Sequence, residues 1–329
     1  MRYLLVNFGG PRSLAEIPDF LTALLSDQEV LRTPFPGWLH RAFFRRIAQK
    51  RAKKVEEDYA YIGGRSPIYQ DTECLARLLE EKLRAPCITF HRYLPDTHKK
   101  SLSAIEKSEG PITAFPLFPQ FCSATTGSCA LFLRQHLSRQ SCEKIRWIRS
   151  YPEHPGFVMA YQRKIASFLE KKGLKESEVV LLFSPHGIPE SFVRKGDSYQ
   201  KECEASYRAI ASAFPQALSR VCYQSKFGPG KWLRPYTEKA SESIRLWHQG
   251  KEHVIFIPLS FTSDHIETLF EIERLYLPLI AEAGLFPYRL DALNLENYWI
   301  EGICSMLTSL PTLPTCALLR RKRRGACCQ

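Results

Sequence analysis

A histidine at the end of a buried strand is the first residue in this sequence whose type and position suit chemistry. The apolar run Val179–Phe183 predicts a strand, which stops at Ser184-Pro185, just before His186. Pro185 fixes the backbone and Gly187 frees it, so we expect a rigid, exposed strand end. A histidine that titrates at about pH 6.5 can accept a proton from a substrate. The alternative is a buried imidazole that donates to a backbone carbonyl, and the residues alone leave both interpretations open.

A line of acids follows another apolar run, in the segment SFTSDHIETLFEIERLY at 260–276. Asp264, Glu267 and Glu271 recur at i, i+3 and i+7, so a helix would place them on one face. Capping of a helix N-terminus explains one of these acids, but not three of them beside His265. Such a line of carboxylates can pass protons or hold a divalent cation.

The elements that must position these side chains alternate between strand-like and helix-like segments. Continuous apolar strands indicate parallel sheets covered on both faces, and the alternation with helices indicates a doubly wound α/β fold. Ligands bind at the carboxyl ends of such strands, so His186 and the acid line would share one rim. The expected strands are Tyr3–Phe8, Cys87–Tyr93, Ile112–Leu117, Ile145–Ser150, Val179–Phe183, Val221–Gln224, Val254–Pro258 and Tyr288–Leu293. The clearest helical segments are Gly156–Lys172, Tyr199–Phe214, Pro235–Gln249 and Ile266–Ile280.

A faint internal repeat indicates two similar domains that face each other across a cleft. LLVNFGGP at 4–11 echoes LLFSPHGIP at 181–189, and FPLF at 115–118 echoes IPLSF at 257–261. The two offsets are 177 and 142 residues, so the first half would carry an insertion of about 35 residues.

The repeat leads to a definite division of the chain. We expect an N-terminal α/β domain over 1–145, with a lid insertion at about 14–60, and a C-terminal domain over 146–311. Each would have a parallel, four-stranded sheet flanked by helices. Residues 312–329 are expected to form a basic, disordered tail.

The insertion contains the aromatic and Pro-rich stretch TPFPGWL at 33–39, followed by a basic helix at His40–Glu57. Phe43, Phe44 and Ile47 would lie on one face of that helix. Periodicity alone favours an ordinary amphipathic helix. The alternative is an apolar lid with a basic rim, suited to a flat hydrophobic acid or to a membrane surface.

Composition and charge narrow the class of protein. With 44% hydrophobic residues and a formal net charge of +12, the chain is expected to be globular and basic. Five of the positive charges lie in the run Arg320–Arg324, and seven basic residues lie between Arg41 and Lys54. The apolar run at the N-terminus is too short for a signal peptide, and no window reaches the roughly 18 apolar residues of a membrane span. Eleven scattered cysteines without a C-x-x-C pair favour free thiols, so a cytoplasmic location is expected.

Six motifs in order give the chain a strong resemblance to the ferrochelatases, enzymes that insert Fe²⁺ into a porphyrin to make haem. The resemblance runs from residue 2 to about 310. Its motifs are LLVNFGGP at 4–11, YAYIGGRSPI at 59–68, FPLFPQFCSATTGS at 115–128, FSPHGIPES at 183–191 with KGDSY at 195–199, YQSKFGPGKWLRP at 223–235, and FTSDHIETLFEIE at 261–273. It implies two similar Rossmann-like, chelatase-type domains that clasp the macrocycle in the cleft.

The resemblance also implies roles for individual residues. His186 matches the proton-accepting histidine and Glu267 the carboxylate that faces it across the porphyrin, and both would serve as metal ligands. Glu271 lies further along a proton or metal path. The expected porphyrin-binding residues are Phe8, Arg51, Arg92, Phe261, Asp264 and His265. The substrates would be Fe²⁺ and protoporphyrin IX, although the sequence alone does not exclude coproporphyrin or decide the side on which iron enters.

The sequence departs from the family in ways that bear on cofactors. Many relatives continue the acid line by one more turn, where this chain has Leu275. Some relatives hold a [2Fe–2S] cluster with C-terminal cysteines, but Cys316, Cys327 and Cys328 have a different spacing, and Ser123 occupies the position of an upstream cysteine. No cluster and no other permanently bound cofactor are expected.

Other functions remain as alternatives. Gly9-Gly10 or Gly228-Pro229-Gly230 could form an anion-binding loop, but neither matches G-x-G-x-x-G or the P-loop spacing. A haem or metal carrier would share the pocket and His186 but would not need the acid line. Nucleic-acid binding would depend on the basic tail alone and is not expected. The sequence leaves open whether the protein is a monomer or a dimer, and whether the lid contacts a membrane.

Overall fold

Two α/β units, each built on its own sheet, make up the computed structural model, which describes residues 1–31, 33–228 and 230–320. The strands are β1 (Arg2–Asn7), β2 (Cys87–His91), β3 (Ile112–Pro116), β4 (Ile145–Ile148), β5 (Val179–Phe183), β6 (Leu218–Val221), β7 (His253–Ile257), β8 (Phe286–Arg289) and β9 (Thr312–Pro314).

Helices connect and flank these strands. The α-helices are α1 (Ile17–Leu25), α2 (Gly37–Tyr61), α3 (Ile68–Leu83), α4 (Pro95–Glu106), α5 (Ser128–His136), α6 (Arg139–Lys144), α7 (Pro155–Lys172), α8 (Glu190–Arg194), α9 (Tyr199–Ala211), α10 (Thr237–Glu242), α11 (Leu277–Glu282), α12 (Asn297–Ser309) and α13 (Thr315–Leu318). Short 3₁₀ turns lie at Leu14–Glu16, Glu176–Glu178 and Ile244–Leu246, and π-helical segments lie at Ser123–Gly127 and Glu267–Tyr276.

The two sheets confirm the expected α/β fold class, but in the described residues the first sheet has five strands, one of them antiparallel, instead of the expected four parallel strands. The first sheet has the order β2-β1-β3-β4-β9, in which β9 alone runs antiparallel to its neighbour. The second has the order β6-β5-β7-β8 and is parallel throughout. Strands β3 and β5 are buried along their whole length, as their unbroken apolar sequences require.

All eight expected strands are present, and two of them are displaced. The strand expected at Tyr288–Leu293 lies at Phe286–Arg289. The strand expected at Val221–Gln224 lies at Leu218–Val221. It forms the edge of the second sheet and is only partly buried. An edge strand can carry polar residues, and here Ser219 and Arg220 interrupt the apolar pattern that identifies a buried strand. The apolar residues that follow it continue as irregular chain toward the site.

The C-terminal segment differs from the expected tail. Residues 312–314 form β9, which pairs with β4 so that Trp147 lies opposite Leu313. The indole nitrogen of Trp147 donates to the Thr315 hydroxyl at 3.1 Å, and Leu318 packs into the same apolar cluster. The expectation of disorder from 312 is therefore wrong for 312–320, because this segment completes the first sheet. Residues 321–329, with Cys327 and Cys328, lie outside the described residues.

The expected boundary between the domains is also shifted by the sheet topology. Strand β4 pairs with β3, so residues 146–148 belong to the first sheet rather than to a domain that begins at 146. Because β9 returns to the first sheet, that unit takes residues from both ends of the described chain.

One apolar cluster joins the two units into a common core. It contains Phe115 from the first sheet and Leu181 from the second, with Phe157 of α7 and Trp299 of α12 between them. Since the same buried side chains serve both sheets, the geometry of the cleft depends on this shared core.

The lid insertion forms α1 and the 25-residue helix α2. Ala48, Ala52 and Tyr59 of α2 pack against α1, in a cluster that also receives Phe227 and Ile266 from the second unit. Phe44 and Ile47 are partly buried there, whereas Phe43 is half exposed, so the expected apolar face is split between packing and surface. None of the described helices is both long enough and apolar enough to cross a bilayer.

The close crossing of α7 and α12 yields a prediction about stability. A Cβ atom at Gly302 would lie 2.4 Å from the carbonyl oxygen of Gly156. Gly302→Ala must therefore push the helices apart, and we expect it to lower the free energy of unfolding by about 1–3 kcal/mol. Urea denaturation would measure the change. Gly37→Ala is the control, because its nearest neighbour would be Gln28 Nε2 at 3.8 Å, and an equal loss in both variants would contradict the packing argument.

Candidate active site

His186 lies just beyond the carboxyl end of β5, and its backbone is held on both sides. Its amide donates to the Ser260 hydroxyl at 2.9 Å, and its carbonyl accepts from the Tyr199 hydroxyl at 2.9 Å. The ring Nδ1 hydrogen-bonds to the carbonyl of Gly187, while Nε2 points to Glu267. The carbonyl contact of Nδ1 fits the interpretation of an imidazole bonded to the backbone, and it orients Nε2 toward Glu267. The role of His186 as a proton acceptor stays a prediction.

The turn around His186 has little room. A Cβ atom at Gly187 would lie 2.9 Å from the carbonyl oxygen of Gln224, so a larger residue would push the turn away from its neighbour. Glycine is needed here for the close approach of two backbones, since the amide of Gly187 donates to that same carbonyl at 2.8 Å.

Glu267 begins the π-helical segment and lies between two imidazoles. Its Oε1 is 3.5 Å from Nε2 of His186, and its Oε2 is 3.4 Å from Nε2 of His265. Phe261 completes the group, with its ring centroid 4.4 Å from that of His265 and 6.3 Å from that of His186. The two histidines, the carboxylate and the aromatic ring thus meet as expected at the carboxyl ends of β5 and β7.

The helix that carries the acid line is π-helical from Glu267 to Tyr276, not α-helical as expected. Such long π segments are rare and are found mainly at functional sites. Glu271 is held in it by the Ser225 hydroxyl, which donates to Oε2 at 2.5 Å. Ser225 itself adopts a left-handed backbone with φ of 60°.

Asp264 does not join the acid line. Its carboxylate accepts from Thr268 Oγ1 at 2.7 Å and from Asn294 Nδ2 at 2.8 Å, and it pairs with Arg289 Nη1 at 3.2 Å. Because the helix begins only at Glu267, the spacing of Asp264 does not place it on the helix face. The structure places it as an anchor for the loop that precedes Glu267, rather than as a side chain free to contact a ligand.

The charges of the site depend on one another. Burial alone would lower the pKa of His186, but the carboxylates of Glu267 and Glu271 outweigh it and raise the pKa to about 9. Burial would raise the pKa of Glu267, yet the two imidazoles hold it well below its usual range. Burial, reinforced by the charge of Glu267, raises the pKa of Glu271 to about 8. At neutral pH the arrangement is therefore an imidazolium, a carboxylate and a neutral carboxylic acid.

The remaining expected residues lie around this centre. Phe8 packs edge-on against Tyr93 at 4.5 Å, within the cluster that supports the lid. Arg51 of α2 lies with its guanidinium carbon 4.5 Å from the ring centroid of Phe227, so the lid touches a loop of the second unit.

The guanidinium of Arg92 is already paired inside the protein and is not free to bind an anion. Its Nη2 pairs with Asp27 at 2.7 Å, and its Nε donates to Ser128 at 2.9 Å. A carboxylate ligand at Arg92 would have to compete with Asp27. This partner lies 65 positions away, so no local sequence pattern indicates it.

Several hydrogen bonds that hold His186, Glu267 and Glu271 in place come from residues that the sequence analysis did not identify. Tyr199, Gln224 and Ser225 each hydrogen-bond to His186, Glu267 or Glu271. They lie in the motifs KGDSY and YQSK, but single polar residues have no periodicity that would reveal their partners.

The ligand set for iron remains a prediction. In the described ranges, no three or more His, Cys, Asp or Glu side chains are arranged so that they could enclose a metal ion. Nε2 of His186 and Oε1 of Glu267 lie 3.5 Å apart, and Fe²⁺ as a substrate would meet imidazole and carboxylate ligands there.

Comparison with solved structures defines the fold class. SirB from Bacillus subtilis, solved with Fe³⁺, is 12% identical with a TM-score of 0.51, over 94% of this chain and 95% of that one. A multi-domain protein from Deinococcus radiodurans, described as structurally similar to chelatases, is 12% identical with a TM-score of 0.52, over 94% of this chain and 55% of its own. The fold is of the chelatase type.

Comparison with known sequences identifies the family, whereas the solved structures define only the fold. The ferrochelatase family model matches residues 3–310. The ferrochelatase of Chlamydia trachomatis serovar A is 42% identical, over 94% of this chain and 96% of that one. That of Chlamydia muridarum is 43% identical, over 94% and 95% of the two chains. The chain belongs to the ferrochelatase family.

The ion pair of the site predicts a pH-dependent stability. The pKa of His186 is raised in the folded state, so the stability gained from its pairing with Glu267 is present below about pH 6.5 and is lost as pH rises through about 9. We expect Glu267→Gln to lower the free energy of unfolding at about pH 6 and to lower it less at about pH 9.5. Urea denaturation at both pH values would measure this gap, and a gap that is constant or widens with pH would contradict the pairing.

Proposed function

We propose that the protein is a ferrochelatase that inserts Fe²⁺ into protoporphyrin IX, releasing two protons and forming protohaem. The observation that carries the proposal is the pair His186 and Glu267, which face each other at 3.5 Å in a chain that matches the family over residues 3–310. The enzyme is a lyase of haem biosynthesis.

The surroundings of the pair suit a flat, apolar and dianionic ring. Such a ligand needs aromatic walls and cationic groups at the rim. Phe261 supplies an aromatic surface beside both imidazoles, and Phe8 lies beneath the lid. Arg51, exposed on the lid, is the guanidinium that we assign to a propionate.

Proton transfer follows from the charges of the site. His186 with a pKa of about 9 already holds a proton at neutral pH, so it must release that proton before it can accept one from a pyrrole nitrogen. Fe²⁺ approaching the carboxylates repels the protons on His186 and Glu271, since a nearby dication favours the deprotonated forms. Neutral His186 Nε2 then accepts a pyrrole proton, and Glu267 stabilises the imidazolium that forms.

Once approaching Fe²⁺ has displaced the proton of Glu271 to solvent, the Glu271 carboxylate can accept a pyrrole proton that His186 passes on. It lies one turn beyond Glu267, and its charge is coupled to that of Glu267. The Ser225 hydroxyl donates to it and so stabilises its carboxylate form. We therefore assign Glu271 to the path by which protons leave or iron arrives.

The proposal includes no resident cofactor. Cys122, next to the position where some relatives have a cluster ligand, is buried, and its sulfur accepts a hydrogen bond from the amide of Ala124 at 3.4 Å. This thiol is used inside the fold, which supports the absence of a [2Fe–2S] cluster. Nucleic acid has no part in the proposed activity.

Activity of variants tests the two central residues. We expect His186→Ala and Glu267→Gln to lower kcat for Fe²⁺ insertion by about 10²-fold or more, because each removes one half of the proton-accepting pair. Porphyrin binding should remain, since neither change removes an aromatic wall. Anaerobic assays with Fe²⁺, and with Zn²⁺ as an air-stable substitute, would follow the porphyrin absorption bands.

The assay needs a matched control and a second porphyrin. His136→Ala is the control, because His136 is an exposed histidine stacked on Phe132 in α5. Coproporphyrin would be tested in parallel. Turnover of the His186 variant within twofold of the wild type would remove His186 from the mechanism, whereas wild-type protein that binds both porphyrins without metallating either would be a carrier.

The outer face of the lid supports peripheral membrane contact. Four apolar side chains are exposed there beside the basic residues of α2, and Trp38 and Phe43 have exposed fractions of 68% and 50%. An apolar surface with a basic rim is typical of a helix that lies on an anionic bilayer. The four residues are Phe35, Trp38, Leu39 and Phe43.

Vesicle binding tests this surface. We expect the protein to sediment with phosphatidylglycerol vesicles more than with phosphatidylcholine vesicles, and Trp38→Ser with Phe43→Ser to lower the bound fraction several-fold. Leu246→Ser is the control, because Leu246 is also apolar and is even more exposed, at 88%, but lies in the second unit. Equal loss in the control, or equal binding of all variants, would refute the membrane role.

A further inference from the structure

Gln224 lies between the two halves of the proposed proton-accepting pair. It follows β6 and is buried, with an exposed fraction of 1%. Its backbone encloses the turn that carries His186, because its amide donates to the carbonyl of Pro185 at 3.0 Å and its carbonyl accepts from the amide of Gly187 at 2.8 Å. One residue on a neighbouring segment thus fixes the chain on both sides of His186.

The side chain of the same residue reaches the other half. Its Nε2 donates to the backbone carbonyl of Glu267 at 2.9 Å, and its Oε1 accepts from the hydroxyl of Ser184 at 2.8 Å. The amide therefore connects the end of β5 directly to the first residue of the π-helical segment.

These contacts also fix the orientation of the amide. A flipped amide would turn its oxygen toward the Glu267 carbonyl and lose that hydrogen bond. Ser184 is in turn bonded to Thr237 Oγ1 at 2.9 Å, and Nε2 of Gln224 also contacts the Ser225 hydroxyl at 3.3 Å. Since Ser225 holds Glu271, a single buried network contacts the turn of His186 and both acids of the π-helical segment.

We propose that Gln224 is a positioning residue that sets the separation between His186 Nε2 and Glu267 Oε1. The two groups lie on different elements, and Gln224 hydrogen-bonds to the turn beside the first and to the backbone of the second. The expected effect of Gln224 on turnover rests on the proposed chelatase function. Its expected effect on the separation of His186 and Glu267 rests on geometry alone. Gln224 itself touches neither reacting group with its side chain.

Two variants separate positioning from folding. Gln224→Asn keeps the amide but shortens its reach by one methylene, and Gln224→Glu keeps the shape but removes the donor to the Glu267 carbonyl. We expect kcat for metal insertion to fall about tenfold or more in both, with porphyrin Kd within twofold of the wild type. Gln162→Asn is the matched control, because its Nε2 also donates to a backbone carbonyl, that of Ala209 at 3.0 Å, between α7 and α9.

A second measurement does not depend on activity. Side-chain ¹⁵N spectra of labelled histidines at one fixed pH would report the environment of His186. We expect the Nε2 signal of His186 to shift in both Gln224 variants and to remain in place in Gln162→Asn. Thermal unfolding would show that the variants are folded, with similar melting temperatures. If one of the two Gln224 variants does not fold, the other one tests the positioning role.

The outcomes distinguish this inference from the proposed function. A normal kcat, or an unchanged His186 signal, in a folded Gln224 variant would overturn the positioning role. Wild-type protein without metal insertion would instead overturn the proposed function, and the His186 signal would still decide whether Gln224 positions the pair.

Discussion

The pairing of His186 with Glu267 is the interaction on which the arrangement of the candidate site depends. A carboxylate with little solvent around it is costly unless a cation and further hydrogen bonds accompany it. Glu267 obtains these from imidazoles on either side, 3.5 and 3.4 Å away. The strand ends, the Tyr199 and Ser260 contacts to the His186 backbone and the anchored loop at Asp264 all keep this ion group together.

The first unit and the lid contribute the other wall of the cleft. The shared core holds the two sheets in one relative position, and the crossing of Gly156 and Gly302 lets α7 and α12 approach closely enough to form it. Helix α2 then contacts the second unit through Tyr61, whose ring lies 5.7 Å from that of Phe270. The hydrogen-bonded group around His186 and Glu267 thus lies within the second unit, while the lid that packs against this unit is an insertion in the first.

Sequence patterns predicted the features that depend on burial or on local backbone chemistry. Mainly apolar runs located β1, β3, β5 and β7, and the proline and glycine around His186 marked the turn that brings it to Glu267. Sequence patterns did not predict the role of a residue where that role depends on a partner distant in sequence. Asp264 has the spacing of an acid line, but Arg289 and Asn294 turn it into an anchor. Strand β9 is too short to show a period, and only its pairing with β4 makes it a strand.

The balance of charge explains why such a site can exchange protons for a metal ion. Before iron arrives, His186 carries a proton, Glu267 is ionised and Glu271 is neutral, so the three groups together carry no net charge. In the proposed mechanism Fe²⁺ would displace the protons of His186 and Glu271 to solvent. The neutral imidazole, the two carboxylates and the dication would then again sum to zero. In the proposed mechanism the partly buried site avoids an uncompensated charge in both states, and His186 would act as a base when the metal is near. A third acid in place of Leu275 would extend the line, but it would also require another compensating charge.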